Sequence, residues 1–164
     1  MPQQQNLYEN MTAQTFLNYI AALKCLPRKQ AEKEITELVK RVELTESIDK
    51  KMGGFSGGMK QRVLIAAALL GNPDIMILGE PTAGLDPKQR VIIRNMVSNL
   101  SKDKIIIIST HIVSDIETIA KEILFLKEGH LIDSGTIPDL IKKVENTDKT
   151  LENLYMQYYG EGQK

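Results

Sequence analysis

Apolar residues recur at helical spacing early in the chain. After Thr12, a side chain suited to cap a helix, come Phe16, Leu17, Ile20, Ala21 and Leu23, and the run reaches Cys25 before Pro27 closes it. A second amphipathic run, from about Lys29 to Val42, sets Ile35, Leu38, Val39 and Val42 on one stripe and lysine, glutamate and arginine on the other. Gly53-Gly54-Phe55-Ser56-Gly57-Gly58 interrupts the pattern. A strongly apolar helix is predicted from about Gly58 to Leu70, stopped by Gly71-Asn72-Pro73.

The middle of the chain reads differently. Ile75-Met76-Ile77-Leu78 and Ile105-Ile106-Ile107-Ile108 are short unbroken apolar runs, the pattern of parallel strands covered on both faces. Helical patterns at about Lys88 to Lys102 and Val113 to Lys121 alternate with them, which is the order of an α/β fold with a parallel sheet. Glu122 to Gly135 reads as two strands joined by a Lys-Glu-Gly turn. Leu151, Leu154, Tyr155 and Tyr158 return to helical spacing, so the tail is predicted to be an amphipathic helix packed on its own domain, with a partner contact as the alternative.

Composition narrows the classes. The 164 residues are 42% hydrophobic and 26% charged, as in one soluble globular domain. Lys+Arg and Asp+Glu balance at 21 each, so no global basic field points to nucleic acid. The longest apolar stretch, Val63 to Leu70, is far short of the about 20 residues needed to cross a bilayer. Met1-Pro2-Gln3-Gln4-Gln5 lacks the basic start and apolar core of a secretory signal, and a single cysteine suits a reducing compartment. Cys25 itself reads as a small filler on the first helix. The expectation is a cytoplasmic protein that serves a membrane, if it does, through partners.

Three places carry chemistry. Ser56-Gly57-Gly58-Met59 opens a long helix, where free N–H groups and the positive dipole end attract anions and glycines let a phosphate approach; an ordinary glycine turn with a serine cap is the alternative. The first apolar strand runs into Gly79-Glu80-Pro81, and the second into Ser109-Thr110-His111. Carboxyl ends of parallel strands border the ligand crevice of an open sheet, so Glu80 could orient or deprotonate a water and His111 could bond a transferring phosphoryl group.

In order and spacing these segments together resemble the ATP-binding subunits of ABC transporters. Phe55-Ser56-Gly57-Gly58-Met59 is similar to the signature loop, Ile75 to Pro81 to the Walker B strand, Ala83-Gly84-Leu85-Asp86-Pro87 to the D-loop, and Ser109-Thr110-His111 to the switch histidine. Pro2-Gln3 with Leu7 to Thr12 resembles the Q-loop and its exit into the helical subdomain. The resemblance implies a partial RecA-like P-loop NTPase core, without the P-loop strand, and a helical signature subdomain. It assigns residues 1–140 to the C-terminal part of such a domain (about 5–72 helical, about 73–140 the remaining α/β core) and 141–164 to a helical extension.

The family's roles then fall on matching positions. Ser56, Gly57, Gly58 and Met59 would face the γ-phosphate of ATP held by an opposite subunit, Glu80 would be the general base, and His111 the phosphate sensor. Asp86 would bridge the dimer, and Gln3 would link nucleotide state to the membrane subunit. Implied cofactors are ATP and Mg²⁺. Implied partners are a transmembrane permease subunit and a second ATP-binding subunit, identical or different, at the cytoplasmic membrane face. The chain as a whole is most similar to subunits of bacterial drug or bacteriocin exporters, and the hairpin Leu124 to Gly135 with Thr136-Ile137-Pro138-Asp139-Leu140 favours transporters over DNA-repair or chromosome-maintenance ATPases that share the signature.

Two departures shape the expectations. The family's G-x-x-x-x-G-K-[ST] loop, whose N–H groups and lysine cradle phosphates, has no counterpart, since no Gly-Lys dipeptide occurs in this sequence. Gly79 stands where the family carries the aspartate that helps hold Mg²⁺, a loss that typically costs about 10- to 100-fold in metal affinity or activity. The isolated chain is therefore expected neither to bind ATP tightly nor to hydrolyse it. The isoleucine strand is expected to have an open apolar edge that another chain covers. A non-catalytic module supplying its signature loop in trans, and a nonfunctional gene fragment, stand as alternatives.

Overall fold

Thr12 caps the first helix, its hydroxyl accepting from the Thr15 N–H at 3.1 Å, and α1 runs Ala13–Leu23. The computed structural model describes residues 8–145 and 147–160, and the chain divides between Thr110 and His111 into two compact units. Gln3 lies outside the described residues. In the first unit α2 (Arg28–Arg41) and α3 (Gly57–Leu69) follow, close to the periods of the sequence. Their apolar stripes meet α1 in one core, with Leu17, Ile35, Val42, Val63 and Leu70 all buried.

Charged side chains tie the helix ends of this core together. Lys24, just after α1, donates to the carbonyls of Ala67, Ala68 and Leu70 at 3.1, 3.1 and 2.7 Å, where α3 leaves carbonyls without helical partners. Desolvation there lowers the Lys24 pKa, opposed by the nearby Glu34 carboxylate. Glu34 of α2 accepts from the Gly71 N–H at 2.7 Å, and Arg62 of α3 reaches the Val42 and Glu43 carbonyls at 3.2 and 3.3 Å. Each helix thus secures the end of another, which fixes the direction of α3.

After α3, β1 (Ile75–Gly79) pairs in parallel with β2 (Ile105–Ser109), in register from Ile75 opposite Ile105 to Gly79 opposite Ser109. Between them α4 (Pro87–Leu100) starts at Asp86, with Pro87 in the first turn where a missing N–H costs nothing. The expectation that both strand faces are covered is overturned. Met76 and Leu78 are buried, but Ile75 and Ile77 are 55% and 60% exposed, and Ile105 and Ile107 stand 61% and 47% exposed. An unbroken apolar run hides this alternation, because successive side chains point to opposite faces whatever covers them.

The second unit holds α5 (Val113–Ile116), β3 (Ile123–Lys127), β4 (His130–Gly135), α6 (Ile137–Leu140) and α7 (Leu151–Tyr159). The helix expected from Val113 to Lys121 shrinks to one turn. Ile119 and Ala120 both donate to the Ile116 carbonyl, a tightened turn that ends the spiral amid β-branched Thr118 and Ile119. The β3–β4 hairpin turns at Glu128-Gly129, where φ of 51° and 79° suits a two-residue loop between twisted strands. The tail helix packs on this unit: Leu151 and Leu154 are buried, and Phe125 of β3 meets the Tyr158 ring edge-on at 5.1 Å. Cys25 is no buried filler; it is exposed, in a left-handed turn (φ 55°) beyond α1.

Candidate functional site

The site begins with the backbone at Ser56. Its extended conformation (φ −64°, ψ 161°) starts α3, and its hydroxyl accepts from the Met59 N–H at 3.3 Å. The N–H groups of Gly57 and Gly58 precede the first helical carbonyl partners, as at any anion-binding helix start; Gly57 is exposed, while Gly58 is buried beneath Gln89. Phe55, buried at the preceding position, anchors the loop to the helical core. The start of α4 lies against the two glycines. A Cβ on Gly57 would stand 3.2 Å from Leu85 Cδ2, and one on Gly58 would collide with Gln89.

Glu80 follows β1 in a left-handed conformation (φ 44°) that a non-glycine residue rarely adopts. Its N–H donates to the Ser109 carbonyl at 2.8 Å, extending the parallel ladder by one step. That step places its side chain beside Thr110, whose hydroxyl donates to Glu80 Oε2 at 2.9 Å. The carboxylate is thereby oriented at the carboxyl ends of the two strands, the edge where open α/β sheets place ligands. Thr82, buried to 3% exposure, anchors the turn that follows, and Gly84 (φ 71°) supplies its left-handed step. Asp86 then accepts from the Gln89 N–H at 3.0 Å as the cap of α4.

The structure brings Gly57 against Leu85, Gly58 against Gln89 and Glu80 against Thr110, with Ser56 and Met59 at the same α3 start. His111 opens the second unit, exposed, directly after Thr110. Thr110 and Gln89 were not singled out by sequence. The parallel register is the signal that finds Thr110, since Gly79 opposite Ser109 puts Glu80 level with it. Among the described residues no three or more His, Cys, Asp or Glu side chains gather to hold a metal, and Gly79 offers no ligand. These residues do not by themselves fit a Mg²⁺ site. No helix among the described residues is long and apolar enough to cross a membrane.

Comparison with known proteins agrees with this architecture. The family model described as ABC transporter matches residues 1–83. The uncharacterized ABC transporter ATP-binding protein YxlF of Bacillus subtilis is 34% identical over 151 residues, which are 92% of this chain and 51% of that protein. The linearmycin resistance ATP-binding protein LnrL, also of Bacillus subtilis, is 34% identical over 88% of this chain and 47% of its own length. This chain spans about half the length of these two relatives. A solved structure of an ATP binding subunit of an ABC transporter superposes with a TM-score of 0.77 at 28% identity, covering 95% of this chain and 65% of that one. With the family model matching 83 of the 164 residues and the solved subunit following nearly the whole chain, this protein belongs to the ABC transporter family.

Proposed function

We propose that this chain is the signature and Walker B part of an ATP-binding subunit that energises an ABC transporter, acting on ATP whose phosphates are cradled by other residues than its own. The observation that carries this reading is the serine-capped start of α3, where the Gly57 and Gly58 N–H groups have no helical carbonyl partner. Those groups suit the terminal phosphate of a nucleotide held opposite. Glu80, oriented by Thr110, is the general base that takes a proton from the attacking water, and His111 bonds the terminal phosphate. Asp86 meets the second ATP-binding subunit, and Gln3 the permease side. Mg²⁺ would neutralise phosphate charge in the assembled site; with Gly79 in place of a carboxylate, its ligands come from outside these described residues.

The subunit works at the cytoplasmic face of a permease and in the exporting direction, a direction supported by the resistance role in the name of LnrL. A second reading has its own support. Gly79, beside an intact Ser56-Gly57-Gly58, suits a non-catalytic module that supplies only its signature loop to a partner's ATP. The test mixes the purified chain with a separately expressed P-loop-bearing portion of a relative and follows phosphate release. Turnover in the mixture, reduced about 10²- to 10⁴-fold by Glu80→Gln, is the expected result. Turnover unaffected by Glu80→Gln refutes the base assignment and leaves the signature-only module.

A further inference from the structure

Gly58 is a helical residue whose backbone needs no glycine. It lies inside α3, outside the left-handed region, and glycine is a poor helix former. What excludes a side chain is Gln89. A Cβ at position 58 would meet Gln89 Oε1, and would lie 2.6 and 2.8 Å from its Cδ and Cγ, so the whole amide arm would be displaced, beyond a mere turn of its tip. Gln89 Oε1 is buried without a hydrogen-bond partner among the described residues, and so is held by packing over Gly58.

The backbone of Gln89 is fixed in turn, since its N–H is the donor that Asp86 accepts in capping α4. One turn earlier, Leu85 closes over Gly57, and the Leu85 carbonyl accepts from Arg90 Nε at 3.1 Å. The Leu85–Arg90 segment therefore touches both glycines of the α3 start. We propose that Gln89 is a positioning residue for this start: its side chain occupies the room left by the missing Cβ of Gly58. It thereby ties the phosphate-facing end of α3 to the Asp86 cap. A shift of Asp86 moves Gln89, and Gln89 moves Gly58 and Ser56. The contact is internal to the first unit; its use in positioning a phosphate-facing loop rests on the function proposed above.

The test uses the full chain and four proteins: wild type, Gly58→Ala, Gln89→Ala and the double variant. Gln89→Ala, which introduces no clash, should shift the amide resonances of Gly57, Gly58 and Met59. Gly58→Ala should reciprocally shift those of Asp86 to Arg90. The loss in Tm caused by Gly58→Ala should fall by about half or more in the Gln89→Ala background, because the residue it collides with has been removed. If Gly58→Ala does not fold, folding of the double variant is itself the expected rescue. Additive losses in Tm, or Gly57–Met59 amides indifferent to Gln89→Ala, overturn the proposal. Reciprocal shifts in a chain that never raises a partner's ATP turnover would uphold the contact while refuting the functional reading.

Discussion

The helical region and the strand pairs meet their needs in different ways. In the three-helix core every apolar stripe has a partner within the unit, and the helix ends are tied by Lys24, Glu34 and Arg62. The β1–β2 pair buries Met76 and Leu78 and leaves four isoleucines open on its other face. Two-stranded sheets are marginal alone, and parallel ones are ordinarily covered on both faces. The helical region satisfies most of its apolar surface within itself, although the start of α3 also leans on Leu85 and Gln89; the strand pair leaves one face open to further cover.

The largest expected effect lies in the helical core. Ile35→Ala, at 1% exposure, should cost about 2–5 kcal/mol in denaturant unfolding, and a loss under about 1 kcal/mol would mean that this core is not what holds the unit. Lys24→Met removes three donations to the end of α3 while keeping much of the apolar stem, and should cost about 1 kcal/mol. Next comes the tail latch of the second unit. Asp133 accepts from Lys143 and from the Tyr158 hydroxyl, both at 2.6 Å, and the bond to Asp133 together with burial pushes the Tyr158 pKa up to about 12 from the ordinary 10.0. A raised pKa means stabilisation that is full below pH 10 and lost as pH rises from 10 to about 12. The bonds from Lys143 and Tyr158 lower the Asp133 pKa below its ordinary 3.8, so that contribution is lost on acidification below this value. Tyr158→Phe should flatten the alkaline step in a melt series; an unchanged step would place its cause elsewhere. The smallest effect belongs to the open strand face: Ile77→Thr with Ile107→Thr should change stability by no more than about 0.5 kcal/mol per site while lowering self-association in light scattering. A large loss of stability there would erase the contrast between the two regions.

Much of this was legible in the sequence because it is local. Thr12 and Ser56 announce their helices as caps, Gly71-Asn72-Pro73 stops α3, and Glu128-Gly129 turns the hairpin. Glu80 could be placed at a strand end from the apolar run before it. What stayed hidden depends on contacts between distant segments. Ile77 and Leu78 look alike in sequence, and only the packing decides that one is 60% exposed and the other buried. Thr110 reaches Glu80 across 30 residues, and Gln89 lies over Gly58 across 31; neither leaves a periodic trace. The motif points Asp86 to an interface, whereas its side chain here caps α4, a role that needs the fold to be seen.

The central claim is that the α3 start serves a phosphate held by another subunit. The most direct measurement takes a complete ABC ATP-binding subunit disabled by substitution of its own signature serine, adds this chain, and follows ATP turnover. Turnover should rise on addition of the wild-type chain, and the rise should fall about 10-fold or more with Ser56→Ala, which removes a positioned hydroxyl at the terminal phosphate. No rise at any ratio, or an equal rise with Ser56→Ala, would contradict the account.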